Sequence, residues 1–182
     1  MGEVMRRAGI SLAVVAILAG STACGLWRNA ATFDEVVVQI AQRTGRNTDD
    51  VARWLRAASA SEDDALRIGQ GILASSVTRS TAETRVGTWI DNATSSLSAE
   101  ERATVRGFAL NATCDALDSI ARGETPDLGS MVLNAIGELN GALDQRLLAA
   151  QLDDMLEDLQ QPSLATFTAR VEVLAACQLA DA

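Results

Sequence analysis

The sequence predicts an all-α protein, a single domain of roughly six to eight helices packed as a bundle or an orthogonal array. Three observations point there. No stretch of convincing length alternates apolar and polar residues with the period of two that a half-buried strand requires. Helix start and stop signals recur along the chain. Between them, apolar residues return at steps of three and four, the spacing of one helix face.

Taken in order, Thr32 followed by Glu35 forms a capping-box pattern that opens a first helix carrying Val36, Val37 and Ile40 and stopping at Gly45. A second helix follows Thr48, with Val51, Trp54 and Leu55 on one face. A third begins after Ser61, where Glu62, Asp63 and Asp64 complement the positive end of the helix dipole, while Gly69 and Gly71 weaken its interior. A fourth is expected from about Ala82 to Asn92 with Val86, Trp89 and Ile90 inward, followed by a polar break at Thr94, Ser95 and Ser96.

Ser98 and Glu101 make the clearest capping box and open a long helix to about Arg122, along which Val105, Phe108, Ala109, Ala112 and Ala116 recur at helical spacing. Thr125 and Pro126 restart the chain in a new helix. From Leu128 to Gln161 the apolar pattern is nearly unbroken, so one long helix is possible, or two divided at Asn140 and Gly141. Pro162 ends this segment, and Ser163 caps a last helix through Phe167, Val171 and Leu174 to Cys177.

Composition narrows the chemistry. The 182 residues carry a net charge of −9, and every basic residue is Arg; the sequence has no Lys, His or Tyr. Without His the usual general base near neutral pH and the commonest zinc ligand are missing, and without Lys no Ser, Thr or Cys nucleophile finds its ordinary basic partner. No catalytic residue, cofactor or metal ligand is therefore assigned. The negative charge also disfavours nucleic acid, whose phosphates would be repelled.

The N-terminus reads as an export signal. Arg6 and Arg7 form a positive segment, and Ala8 to Gly20 is an apolar run too short for a comfortable membrane span. Ser21, Thr22 and Ala23 then precede Cys24. The segment STAC resembles the lipobox of bacterial lipoproteins, departing from it at Ser21, where Leu is usual. The resemblance covers only the leader and implies that Cys24 is lipidated and becomes the mature N-terminus. Ser21 and Ala23 also suit ordinary signal peptidase, and an uncleaved anchor from Ala8 to Trp27 is a third arrangement. The expected organisation is a signal peptide at 1–23, a lipid-anchor tether at 24–31 and a helical domain at 32–182. Loss of the leader brings the net charge to about −10.

Three cysteines are odd in number for an exported chain, and lipidation of Cys24 leaves Cys114 and Cys177 to pair. Such a disulfide would stabilise the fold by about 4 kcal/mol on the chain-entropy model, although two buried free thiols remain the alternative.

Residues 40–55 resemble a helix-turn-helix, with Ala41, Gly45, Val51 and Trp54 at suitable positions, but Arg46 stands where an apolar residue is usual and the second helix opens with Asp49 and Asp50. This segment reads as a two-helix packing unit. Asp153, Asp154, Glu157 and Asp158 share a helix face, which reads as solvated. Asn92 and Asn111 begin glycosylation sequons that a bacterial leader makes irrelevant.

The function expected is a non-enzymatic binding module at the cell envelope, held to the membrane by its N-terminal lipid on the extracytoplasmic side. A protein or a small apolar ligand would be its partner. The alternatives are an enzyme acting on glycans with carboxylates alone and, third, DNA binding through residues 40–55.

Overall fold

The computed structural model describes residues 32–137, 143–161 and 166–179. Nine helices and no strand lie among them: α1 (Phe33–Thr44), α2 (Thr48–Ala57), α3 (Glu62–Ala74), α4 (Arg79–Trp89), α5 (Asp91–Thr94), α6 (Ala99–Ala121), α7 (Leu128–Ile136), α8 (Gln145–Gln160) and α9 (Phe167–Leu179). The fold is all-α, as the sequence predicts. Cys24 and the leader, Asn140 and Gly141, and Pro162 and Ser163 lie outside the described residues.

Both capping boxes form. Thr32 Oγ1 accepts from the Glu35 amide at 3.3 Å and Glu35 returns the contact to the Thr32 amide at 3.2 Å. Ser98 and Glu101 do the same at the head of α6.

Several boundaries differ from expectation. The N-cap of α2 is Asn47 rather than Thr48, since its amide oxygen accepts from the Asp49 N–H at 2.8 Å. α4 starts at Arg79, capped by Thr78, and Trp89 is half-buried, its indole N–H donating to Asp158 at 3.1 Å. The expected polar break at Thr94 is instead the short helix α5, where the fully buried Thr94 hydroxyl donates to the Ile90 carbonyl at 2.9 Å. α7 is capped by Asp127, two residues beyond Thr125. Phe108, expected inward, is only partly buried.

The long apolar stretch from Leu128 is two helices. α7 stops at Gly137, which adopts φ 52 and ψ −117, a conformation that disfavours a side chain. Helical spacing therefore continues in the sequence past the point where the helix stops.

The core has two adjoining clusters. The first is built from α1, α2 and α3, closed by Leu174, Ala175 and Cys177 of α9 and Leu117 of α6. The second holds the inner faces of α4 to α8 with Val173 and Ala176 of α9. α9 thus works as a shared wall, which explains why Val173 to Cys177 are buried all round rather than along one stripe.

The interior glycines of α3 have a packing reason. A Cβ at Gly69 would stand 2.3 Å from Val36 of α1, and one at Gly71 would stand 2.7 Å from Val171 of α9. What costs α3 helix propensity lets two neighbours approach on opposite sides.

Two ends can be distinguished in the first cluster. α1 and α2 form an antiparallel hairpin, with Arg56 near the end of α2 stacked 4.7 Å from the Phe33 ring at the start of α1. The turn Gly45 to Asn47 lies at the other end, about 18 Å away along a 12-residue helix.

The end near Phe33 is closed by a buried ion pair. Arg170 is 0% and Asp64 1% exposed. Arg170 Nη2 and Nη1 donate to the two carboxylate oxygens of Asp64 at 2.7 and 3.2 Å. Two further donors reach the Leu159 carbonyl at 2.8 Å and the Ala58 carbonyl at 3.3 Å. One guanidinium thereby ties α9 to the exit of α8, the end of α2 and the start of α3. Burial by itself would raise the Asp64 carboxyl, but the hydrogen bond and charge of Arg170, with the Ala60 N–H and Arg67, outweigh it and hold the group below the usual carboxylate range.

Candidate functional site

The opposite end is open. Gly45, at φ 70, terminates α1, and Asn47 starts α2, leaving Arg46 at the apex between them. The Arg46 guanidinium lies against α9, where Nη2 donates to the Cys177 carbonyl at 3.4 Å. On the facing helix α6, Cys114, Asp118 and Arg122 follow one another at steps of four, so helical geometry puts them on one face, with Asp115 beside them.

The space between is a groove with two lobes. The first, about 430 Å³, runs between α2 and the end of α6, past Asp50, Arg53 and Arg122. The second, about 290 Å³, runs past Arg79, Asn111, Asp115 and the disulfide. Arg46, Trp54 and Asp118 line both lobes and mark their junction.

Cys114 and Cys177 form a disulfide, their Cα atoms 5.2 Å apart across a separation of 63 residues. The bond joins α6 to α9 and so fixes the far wall of the groove. Trp54 is 2% exposed and belongs chiefly to the core, offering the groove an edge rather than an open stacking face.

Most of the arginines around the groove are held by acids. Arg53 pairs with Asp50. Arg79 pairs with Glu83 at 2.9 Å and also reaches Asn111. Arg122 pairs with Glu124 at 3.1 Å and with the Ser119 hydroxyl at 3.0 Å.

Asp118 differs from them. Burial pushes its carboxyl above the ordinary range; the positive charges of Arg46 and Arg122 oppose that shift, and the negative charges of Asp115 and Asp50 add to it. It is a half-buried carboxyl in which burial outweighs the opposing positive charges, at the junction of the two lobes. Such a group in a cleft is a candidate for ligand contact.

The residues singled out by sequence fall in different places. Ala41, Val51 and Trp54 of the segment 40–55 are buried, so the apparent helix-turn-helix is a packed hairpin. Its turn nevertheless supplies Arg46, the residue that fits the motif least. Asp153, Asp154 and Glu157 are exposed on α8 away from the groove, and Asp158 is taken up by Trp89. Among the described residues no group of three potential ligands could hold a metal ion, and no helix is long and apolar enough to cross a membrane.

Sequence reasoning did not find Asp118 or Arg122 as site residues. The available signal was the step of four linking Cys114, Asp118 and Arg122, which carries meaning only once the disulfide is known to face a cleft.

Comparison of the chain with protein-family models, with curated proteins and with solved structures returned no match. The chemistry of the groove therefore stands on its own residues.

Proposed function

We propose that this chain is an exported lipoprotein of the cell envelope whose helical domain acts as a non-enzymatic binding module. The observation that carries this reading is the division of the three cysteines. Cys114 and Cys177 are joined to each other, while Cys24 follows an export-type leader within STAC, the position that lipidation requires. A disulfide also suits an oxidising compartment.

Phe33, at the start of α1, stands roughly one helix length from Arg46. The groove lining is charged, which favours a polar ligand over a small apolar one.

Mass spectrometry of the protein purified from membranes tests the anchor. The expected mature N-terminus is Cys24 carrying a diacylglyceryl group, with residues 1–23 removed. An unmodified terminus or an intact leader would overturn the lipoprotein reading.

A further inference from the structure

We propose that the Cys114–Cys177 disulfide is a redox-sensitive latch: a dithiol reductant entering the groove opens the bond and lets the last turn of α9 leave α6. Such a device is separate from the binding-module reading and independent of the lipid anchor.

Apart from this bond, the last turn of α9 is weakly held. Its final carbonyls have no donor within the helix, and the turn carries no basic residue to complement the negative end of the dipole. The Arg46 guanidinium meets one of those carbonyls, that of Cys177, at 3.4 Å. The larger buried side chains lie one turn earlier, at Val173 and Leu174, whereas the last turn contributes Ala176, the half-cystine itself and the partly buried Leu179.

Gln178 makes the turn costlier to keep closed. It is 1% exposed, yet neither its amide nitrogen nor its amide oxygen meets a hydrogen-bond partner in the chain. A buried amide without partners carries its full desolvation penalty, and hydration relieves that penalty once the turn opens. At the other end of α9, Arg170 is equally buried but donates to Asp64, Ala58 and Leu159. One end of the helix closes by its own contacts; the other is kept closed covalently.

The bond can be reached. Both half-cystines line the 290 Å³ lobe, and Cys114 is half-buried where Cys177 is buried, so Cys114 is the more accessible half. A thiolate of the reductant attacks Cys114 Sγ, the S–S bond breaks, and Cys177 Sγ leaves with the electron pair and takes up a proton. The second thiol of the reductant, once deprotonated, attacks the mixed disulfide and releases Cys114 as a thiol. The reductant ends as its own cyclic disulfide, having passed two electrons and two protons to the protein.

The test treats the mature protein in detergent with dithiothreitol and no denaturant, confirms reduction by the mass gain of two hydrogens, and follows amide hydrogen exchange by mass spectrometry. Exchange in the segment 174–179 is expected to quicken at least about tenfold on reduction. The segment around Arg170 and helices α1 to α3 should keep their protection. Replacing both residues, Cys114→Ala with Cys177→Ala, should give the same fast segment without reductant. Gln178→Met has a similar length and no amide to leave unpaired, so it should remove most of the acceleration.

A bond that dithiothreitol does not reduce without denaturant, a reduced segment that exchanges no faster, or an acceleration spread over the whole domain overturns the proposal. So does an equal acceleration in Gln178→Met, which would show that the amide is satisfied in the closed turn. If Gln178→Met fails to fold, the reduced unaltered protein and the cysteine double variant decide the matter.

Discussion

The two ends of the α1–α2–α3–α9 cluster treat charge in opposite ways. At the Phe33 end, Arg170 and Asp64 are almost wholly removed from water, and each nitrogen of the guanidinium donates to a carboxylate or a carbonyl. At the Arg46 end, Asp118 lies beside an open groove with its charge only partly compensated. A saturated network rigidifies; an incompletely satisfied one retains capacity for a ligand. The same kinds of side chain are a clamp in one place and a candidate receptor in the other.

The comparison can be broken most forcefully at the clamp. Arg170→Ala leaves Asp64 buried without its principal partner and is expected to destabilise the fold by roughly 3–5 kcal/mol in denaturant unfolding. An unchanged midpoint would mean that water reaches Asp64 and that the clamp is dispensable. Replacing both residues with apolar ones of similar volume should recover much of the loss, because no lone buried charge remains.

The open end is held covalently. Reducing the Cys114–Cys177 bond, or replacing both cysteines with Ser, is expected to cost at most about 4 kcal/mol, from the entropy regained by the unfolded loop. The difference in unfolding midpoint with and without reductant measures it.

The smallest expected effect distinguishes the ends by pH. Asp118 titrates above its unfolded value, so the stability it contributes is fully present below that unfolded value and is lost as pH rises through the folded one. Asp118→Asn should therefore raise stability near neutral pH by less than about 1 kcal/mol, with the gain vanishing in acid. Asp64 behaves inversely: its contribution is present above the unfolded carboxylate value and lost as pH falls through the lowered folded one.

The local signals of the sequence carried the fold class well. Capping residues and apolar spacing operate within a few residues, so Thr32 with Glu35 and Ser98 with Glu101 could be placed before any tertiary contact was known. Gly137 was harder to read because neighbouring Val132, Ile136 and Leu139 continue the helical pattern on both sides of it. Thr94 reads as polar and is buried, since its hydroxyl is satisfied by the preceding turn of its own chain.

Sites depend on distant pairs and were less legible. Arg170 and Asp64 are 106 residues apart, and nothing in the local sequence of either marks a core ion pair. The Cys114–Cys177 pair was accessible because cysteine arithmetic is itself a long-range argument. Asp118 could not be assigned until α2, α6 and α9 were seen to leave a cleft at the same end.

The contrast between the two ends is tested most directly by following the side-chain carboxyl carbons of Asp64 and Asp118 by 13C NMR through an acid titration of the folded protein. Asp64 is expected to titrate below, and Asp118 above, the ordinary aspartate value of about 3.9. Coincident titrations, or the reverse order, would contradict the contrast between a closed clamp at one end and an open groove at the other.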